Sequence, residues 1–239
     1  MSESIQPGVL YIVSTPIGNL DDITLRAIKI LHGVDLIAAE DTRTTKHLLD
    51  HLSITTPMVS YYNYNEARRV PQLIARLKEG VSVAIVTDAG TPGISDPAYA
   101  IIHSAVENDI QVIPVPGASA LLAGLVASGL PMDRFLFEGF LPLKKGRKTK
   151  LESFRIEERT TVIYESPHRI QRTLADLLGC LGDREVTVAR ELTKKFEEIR
   201  RGKLSLIVKE LGKIAPRGEY VIVLAGAARR SGKEDFQRE

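Results

Sequence analysis

Five times between Val9 and Ala120 the chain repeats one pattern: a short apolar run, a polar loop, then an amphipathic helical stretch. The apolar runs are Val9–Val13, Val34–Ala39, Met58–Ser60, Val83–Val86 and Ile110–Val115. They lack the polar alternation of a strand with one wet face, so they read as strands buried on both sides. Strands of that kind, alternating with helices, build a parallel sheet with helices on both faces. In such sheets ligands bind just beyond the carboxyl ends of the strands. The loops at those ends therefore come first in any reading of function.

The stretch Val83–Pro97 is the most telling of these. Its strand opens into a loop in which Gly90 and Gly93 let backbone approach a ligand closely, and Pro92 and Pro97 fix the path. Asp96 stands where a helix cap would, ahead of Ala98, Ile101, Ile102 and Ala105. The first strand runs into a similar loop, Ser14 to Asp22, with Asp22 as the candidate cap of the next helix. That loop lacks both the G-x-G-x-x-G spacing of a dinucleotide site and the lysine of a P-loop, which leaves those two ligand classes poorly supported. The second strand ends in Glu40-Asp41-Thr42-Arg43. One cap needs one residue, so four clustered polar groups leave chemistry to explain. The fifth strand ends in Pro116-Gly117-Ala118-Ser119-Ala120. The loop Tyr61–Asn65 holds three of the seven tyrosines, which either stack on a base or pack the loop.

Beyond Ala120 the pattern changes. An alanine-rich helix over Ala118–Gly129, ended by Pro131, marks a domain junction. Strands are expected at Arg134–Phe140, Thr161–Glu165, Glu185–Glu191, Phe196–Arg201 and Glu219–Leu224, and helices at Lys145–Ile156, His168–Leu181 and Leu204–Leu211. The third and fourth strands are close enough in sequence for an antiparallel hairpin, so a mixed sheet is expected. The expected division is an N-terminal α/β domain over 8–120, a linker helix over 121–133, a C-terminal α/β domain over 134–226 and a polar, disordered tail over 227–239.

Charge divides the same way. Residues 1–120 carry 13 acidic and 8 basic side chains, the remainder 17 acidic and 24 basic. A basic half points to an anionic partner such as nucleic acid. The run Lys144-Lys145-Gly146-Arg147-Lys148-Thr149-Lys150 suits phosphate contact, or else is a solvated loop. Tyr164-Glu165-Ser166-Pro167-His168-Arg169 closes one strand and opens a helix, with Ser166 suited to the cap and Pro167 to the first turn. Glu165, His168 and Arg169 are left over for other work.

The single cysteine, Cys180, excludes an intramolecular disulfide and a cysteine-based zinc site. The five histidines are scattered, and no metal is expected. The polar start of the chain and the absence of a long apolar run predict neither signal peptide nor membrane span, hence a cytoplasmic protein.

Six motifs stand in order: Ser14-Thr15-Pro16-Ile17-Gly18-Asn19-Leu20, Ala39–Arg43, Thr87–Asp96, Val115–Ser119, Tyr164–Arg169 and Ala189–Lys194. Together they resemble the bacterial 16S rRNA cytidine 2′-O-methyltransferases of the tetrapyrrole methylase superfamily, the class III S-adenosylmethionine (SAM)-dependent methyltransferases. The resemblance covers roughly residues 8–225. It implies a two-domain α/β homodimer, with a mostly parallel N-terminal sheet, a mixed C-terminal sheet and the active-site cleft between the domains. It implies SAM as cofactor and 16S rRNA, or the small ribosomal subunit, as partner.

Carried over onto matching positions, the resemblance places the cofactor at Pro16, Asp88, Gly90, Thr91, Gly93, Ile94, Ser119 and Ala120, with Tyr164 and Leu192 from the second domain. A ribose hydroxyl is a poor nucleophile, so a proton acceptor is expected beside it. Asp41 with Arg43, and Glu165 with His168, are the catalytic candidates. Lys144, Lys145, Arg147, Lys148 and Arg169 are the candidate RNA contacts. Two other readings share these features: a methylase of a tetrapyrrole precursor, and a non-catalytic ribosome-binding module.

Overall fold

The computed structural model describes residues 5–213 and 215–228. The chain divides into two compact units, the first ending at Ala120 and the second beginning at Leu121. Most of the tail expected over 227–239 lies outside the described residues.

The first unit is built on five parallel strands: β1 (Leu10–Val13), β2 (Leu36–Ala39), β3 (Met58–Ser60), β4 (Val83–Val86) and β5 (Val112–Val115). Their order is β3-β2-β4-β1-β5. Every residue of β1, β2 and β4 is buried, as their apolar sequences require. Pro114 is exposed on β5, an edge strand that pairs only with β1, where a missing N–H costs no ladder bond on its open side.

Successive residues of β1 serve opposite faces. Val9, Tyr11 and Val13 pack with Ala27, Ile30 and Leu31 of α1 (Leu25–Gly33) and Leu49 of α2 (Thr42–His51). Leu10 and Ile12 pack with Leu73 and Leu77 of α3 (Glu66–Lys78) and Ile101 and Ala105 of α4 (Tyr99–Glu107). Each such burial stabilises by about 1.5–3 kcal/mol for a leucine-sized side chain. The connection leaving β1 thus covers one face, and the one leaving β4 covers the other. These neighbouring strands define the sheet's topological switch point, where a crevice opens at the carboxyl ends.

The second unit holds β6 (Phe135–Phe140), β7 (Thr160–Glu165), β8 (Glu185–Arg190), β9 (Glu198–Lys203) and β10 (Tyr220–Leu224), in the order β6-β7-β10-β8-β9. Only β6 and β7 run parallel, and β8 and β9 form the expected antiparallel pair. On one face lie α6 (Arg147–Ser153), α7 (Ile170–Leu181) and α8 (Leu204–Leu211), joined in one core with Ile163, Val188 and Ile222. Val221, of opposite parity to Ile222, meets the C-terminal part of α5 (Ala120–Val126). A Cβ on Gly124 would lie 2.7 Å from Val221 Cγ1, so only glycine fits there without a shift.

Three expected caps are elsewhere. Thr24, not Asp22, caps α1 by accepting from the Ala27 N–H, while Asp22 ends a short 3-10 turn. α4 starts at Tyr99 with no side-chain cap, and Asp96 bonds Thr87 instead. α7 starts at Ile170, and it is the Ser166 carbonyl, not its hydroxyl, that accepts from Arg169 and Ile170. α6 is also shorter than Lys145–Ile156, because Lys144–Gly146 turns, with Gly146 at φ +81°. Among the described residues no helix is long and apolar enough to cross a membrane.

Candidate functional site

The loops leaving β1 and β4 are tied together at the switch point. Thr15 N–H donates to Gly90 O at 2.9 Å and Gly90 N–H to Thr15 O at 3.1 Å. Thr15 Oγ1 also donates to Thr87 O at 3.0 Å. Gly90 holds φ +88°, a conformation that side-chain-bearing residues resist. Ser14 Oγ and Thr91 Oγ1 are hydrogen-bonded at 2.9 Å, and Thr91 Oγ1 reaches Ala118 O at 3.3 Å. The loop after β5 is thereby brought into the same cluster. A Cβ on Gly117 would sit 2.9 Å from Ser14 Cβ, so this loop too approaches at glycine distance. Pro16 is buried in the cluster, whereas Asp88, Gly93 and Ile94 are exposed, and Ser119 and Ala120 are half-buried.

Carboxylates rim this cluster. Glu40 Oε2 accepts from Thr87 Oγ1 at 2.5 Å, and Asp88 Oδ1 accepts from the Asp41 N–H at 3.1 Å. Burial pushes Asp88 up from its ordinary value, with Glu40 adding to the effect. Burial, with the nearby charge of Glu40, lifts Asp96 to about 6. Asp41 is the opposite case. It caps α2 through the Arg43 N–H at 2.8 Å and takes the Arg43 guanidinium at 2.6 and 3.1 Å. Those bonds hold its carboxyl down at about 2. A carboxylate so held is a weak base, and both of its oxygens are engaged by Arg43. Ionised carboxylates and backbone carbonyls accept hydrogen bonds only, so this rim suits hydroxyl and ammonium groups rather than phosphate.

Tyr61 is buried and donates to Glu66 Oε1 at 2.6 Å, which settles it as packing, while Tyr64 is 96% exposed. The sequence patterns did not single out Ser14, Thr15 or Thr87 for these ties. Hydroxyl residues directly after two buried strands were the available signal.

In the second unit, Tyr164 Oη accepts from the Leu121 N–H at 2.9 Å, and its ring meets Phe137 and Phe140 edge-on. Leu192 is buried between Glu191 and Thr193, both at positive φ. Glu165 is 1% exposed and fully engaged. It accepts from Thr173 Oγ1 at 2.6 Å and from the Ser166 N–H at 2.8 Å, with Arg169 Nε 3.2 Å away. Expected beside a substrate, it is instead a buried acceptor that fixes the start of α7. His168 is exposed.

Of the expected RNA contacts, Lys144, Lys145 and Lys148 are exposed. Arg147 is not: it is 6% exposed, and its Nε and Nη2 donate to Asp176 Oδ2 at 3.0 and 2.9 Å. Nη2 also reaches Thr173 Oγ1 at 2.9 Å. Arg147 is a structural cation, and Thr173 joins it to Glu165. Arg169 is largely committed too, donating to Leu141 O at 2.5 Å. Among the described residues no group of three potential ligands is placed to hold a metal ion.

Residues 9–207 match the Tetrapyrrole (Corrin/Porphyrin) Methylases. The chain belongs to the tetrapyrrole methylase family. A ribosomal RNA small subunit methyltransferase I from Synechocystis sp. is 52% identical, over 92% of this chain and 80% of the relative. One from Thermotoga maritima is 48% identical, over 92% of this chain and 99% of the relative. Solved structures agree in fold at lower identity. A diphthine synthase superposes with a TM-score of 0.70 at 17% identity, covering 91% of this chain and 90% of its own. A uroporphyrin-III C-methyltransferase from Thermus thermophilus, complexed with S-adenyl homocysteine, gives 0.63 at 19%, covering 91% and 97%. The fold is thus that of tetrapyrrole methylases, with the tied switch-point loops as its candidate cofactor site.

Proposed function

We propose that this protein transfers a methyl group from SAM to rRNA of the small ribosomal subunit, on the ribose 2′-hydroxyl of a decoding-region cytidine. The observation that carries the cofactor assignment is the Thr15–Gly90 tie, which holds glycine backbone and an acceptor-only carboxylate rim together at the switch point. The rRNA target is supported by the names of relatives 45–52% identical to this chain. SAM supplies a methyl carbon on a sulfonium when bound.

The chain's own residues do the rest. Asp88 and the Gly90–Ile94 backbone accept from and enclose the donor, with Pro16, Ser119 and Ala120 closing the wall and Thr91 locking it. Catalysis of an in-line displacement is mostly alignment and exclusion of water. Asp41 and Arg43 act as a positioning pair. His168, exposed at the turn ahead of α7, is the substrate-side group for the ribose proton. Lys144, Lys145 and Lys148 hold RNA phosphates. The protein works in the cytoplasm as a homodimer, a state that light scattering on the purified protein would test.

Incubation of purified small subunits with methyl-labelled SAM tests the reading. Label should reach the ribose of one cytidine. Label on a base, or none on RNA while the protein binds SAM, would overturn it.

A further inference from the structure

The second unit contains an open cavity of about 660 Å³ between α6 and α7, built wholly from residues of that unit. Its chemistry is strongly one-sided. Lys144, Lys148 and Arg155 line it from the α6 side and Arg172 from α7, with Arg147 at its base. The carboxylates that line it are Glu152 and Asp176.

The two helices present these groups at helical spacing. Lys148, Glu152 and Arg155 follow at i, i+4 and i+7 on α6 and the turn after it, and Arg172 and Asp176 at i and i+4 on α7. The buried Arg147 is what gives the cavity its sign. Its two bonds to Asp176 Oδ2 neutralise the one carboxylate on the floor, and its Nη1 reaches Pro142 O at 3.3 Å. The turn carrying Lys144 is thereby pinned against α7. The rim cations are left with weak claims on them. Lys148 is 3.8 Å from Glu152, and Arg172 Nε is 3.8 Å from Asp176. Lys144 and Arg155 have no carboxylate partner among the described residues. Four exposed cations around a floor already neutralised form a seat for an anion with several acceptor oxygens.

We propose that this cavity seats backbone phosphodiesters of the RNA substrate, with Lys144, Lys148, Arg155 and Arg172 as the phosphate ligands and Arg147 as the positioning residue beneath them. The inference rests on the rRNA reading above. It moves the phosphate contacts from a linear lysine loop to a two-helix pocket, adds Arg155 and Arg172, and removes Arg147 from direct contact. Each neutralised phosphate releases counterions, so such a seat writes itself into the salt dependence of binding.

The test uses the full chain with Lys144→Gln, Arg155→Gln and Arg172→Gln combined, all three at exposed positions. Binding to a small-subunit rRNA fragment is measured across a salt series, with SAM affinity and melting temperature as controls. The expected result is a loss on the order of 10-fold or more in RNA affinity, and a salt slope shallower by about 2. SAM affinity and melting should hold. Cys180 lines the same cavity and is the sole cysteine, so its rate of reaction with a small thiol reagent reports occupancy. RNA should slow that reaction in the wild type and not in the variant. An unchanged affinity and slope in the variant overturns the seat while leaving the function standing. Equal protection of Cys180 by millimolar inorganic phosphate also overturns it, in favour of a small-anion pocket. A wild type that binds no rRNA overturns the function itself, and the seat with it.

Discussion

Thr15 and Gly90 exchange both of their backbone hydrogen bonds, across 75 residues of sequence and between two strands whose helices cover opposite faces of the sheet. The pair converts two separate loops into one surface at the switch point. Its weak link is Gly90, whose φ of +88° is one that L side chains rarely adopt. An added Cβ would meet Ile17 Cγ2 at 3.5 Å and Ala118 O at 3.9 Å, both ordinary contacts, so backbone strain and not collision decides the outcome. Gly90→Ala should cost about 1–2 kcal/mol in a denaturation experiment. It should also weaken SAM binding in calorimetry. A variant as stable as the wild type, with unchanged SAM affinity, would show that the tie does not shape the site.

Asp41 caps α2 and is clasped by Arg43, which holds its carboxyl at about 2. Asparagine caps helices as well as aspartate does. Asp41→Asn should therefore leave the fold intact and reduce single-turnover methylation only a few-fold. Asp41→Ala, which removes the cap, should lower the melting temperature more than Asn does. A general base typically contributes about 100-fold or more. A loss of that size in Asp41→Asn, with the fold intact, would restore Asp41 as the proton acceptor.

These two residues also mark what was legible in the sequence. The parallel sheet was readable because burial on both faces leaves an apolar run in each strand, and β3, β4 and α8 fall on the expected residues. The glycines at strand ends were readable for the same local reason. Caps were less so, because Asp22 and Thr24 both satisfy the composition rule and the backbone path chooses between them. Least legible were partners distant in sequence. Arg147 sits in a run of cations and looks like its neighbours, yet Asp176, 29 residues on, draws it into the interior. Glu165 likewise looks like a spare carboxylate until Thr173 and Arg169 fold back on it.

Arg147 therefore offers a sharp contrast with its neighbours. Its guanidinium side chain is 7% exposed and its partner Asp176 is 33% exposed. Removing one member of a buried ion pair strands the other, at a cost of 3–5 kcal/mol when both are fully buried. With Asp176 partly wet, Arg147→Met should cost about 3 kcal/mol in denaturant titration. Lys148→Met, at a side chain 89% exposed, should change stability by less than about 0.5 kcal/mol. Similar losses for both would place Arg147 at the surface after all.

Asp96 carries the clearest pH dependence. Its carboxyl lies at about 6 in the fold, raised first by burial and then by the charges of Glu40 and Asp88, against an unfolded value of about 3.9. The fold thus opposes its ionisation. Its contribution to stability is fully present below about pH 4 and is lost as the pH rises through about 6. Asp96→Asn keeps a group able to bond Thr87 and removes the charge. The variant should gain on the wild type by about 1 kcal/mol between pH 4 and pH 8, the full conversion of the shift being reduced by solvent screening at a half-buried site. Denaturant midpoints at the two pH values measure the difference. A gap between variant and wild type that stays constant across the range would mean that Asp96 ionises freely in the fold.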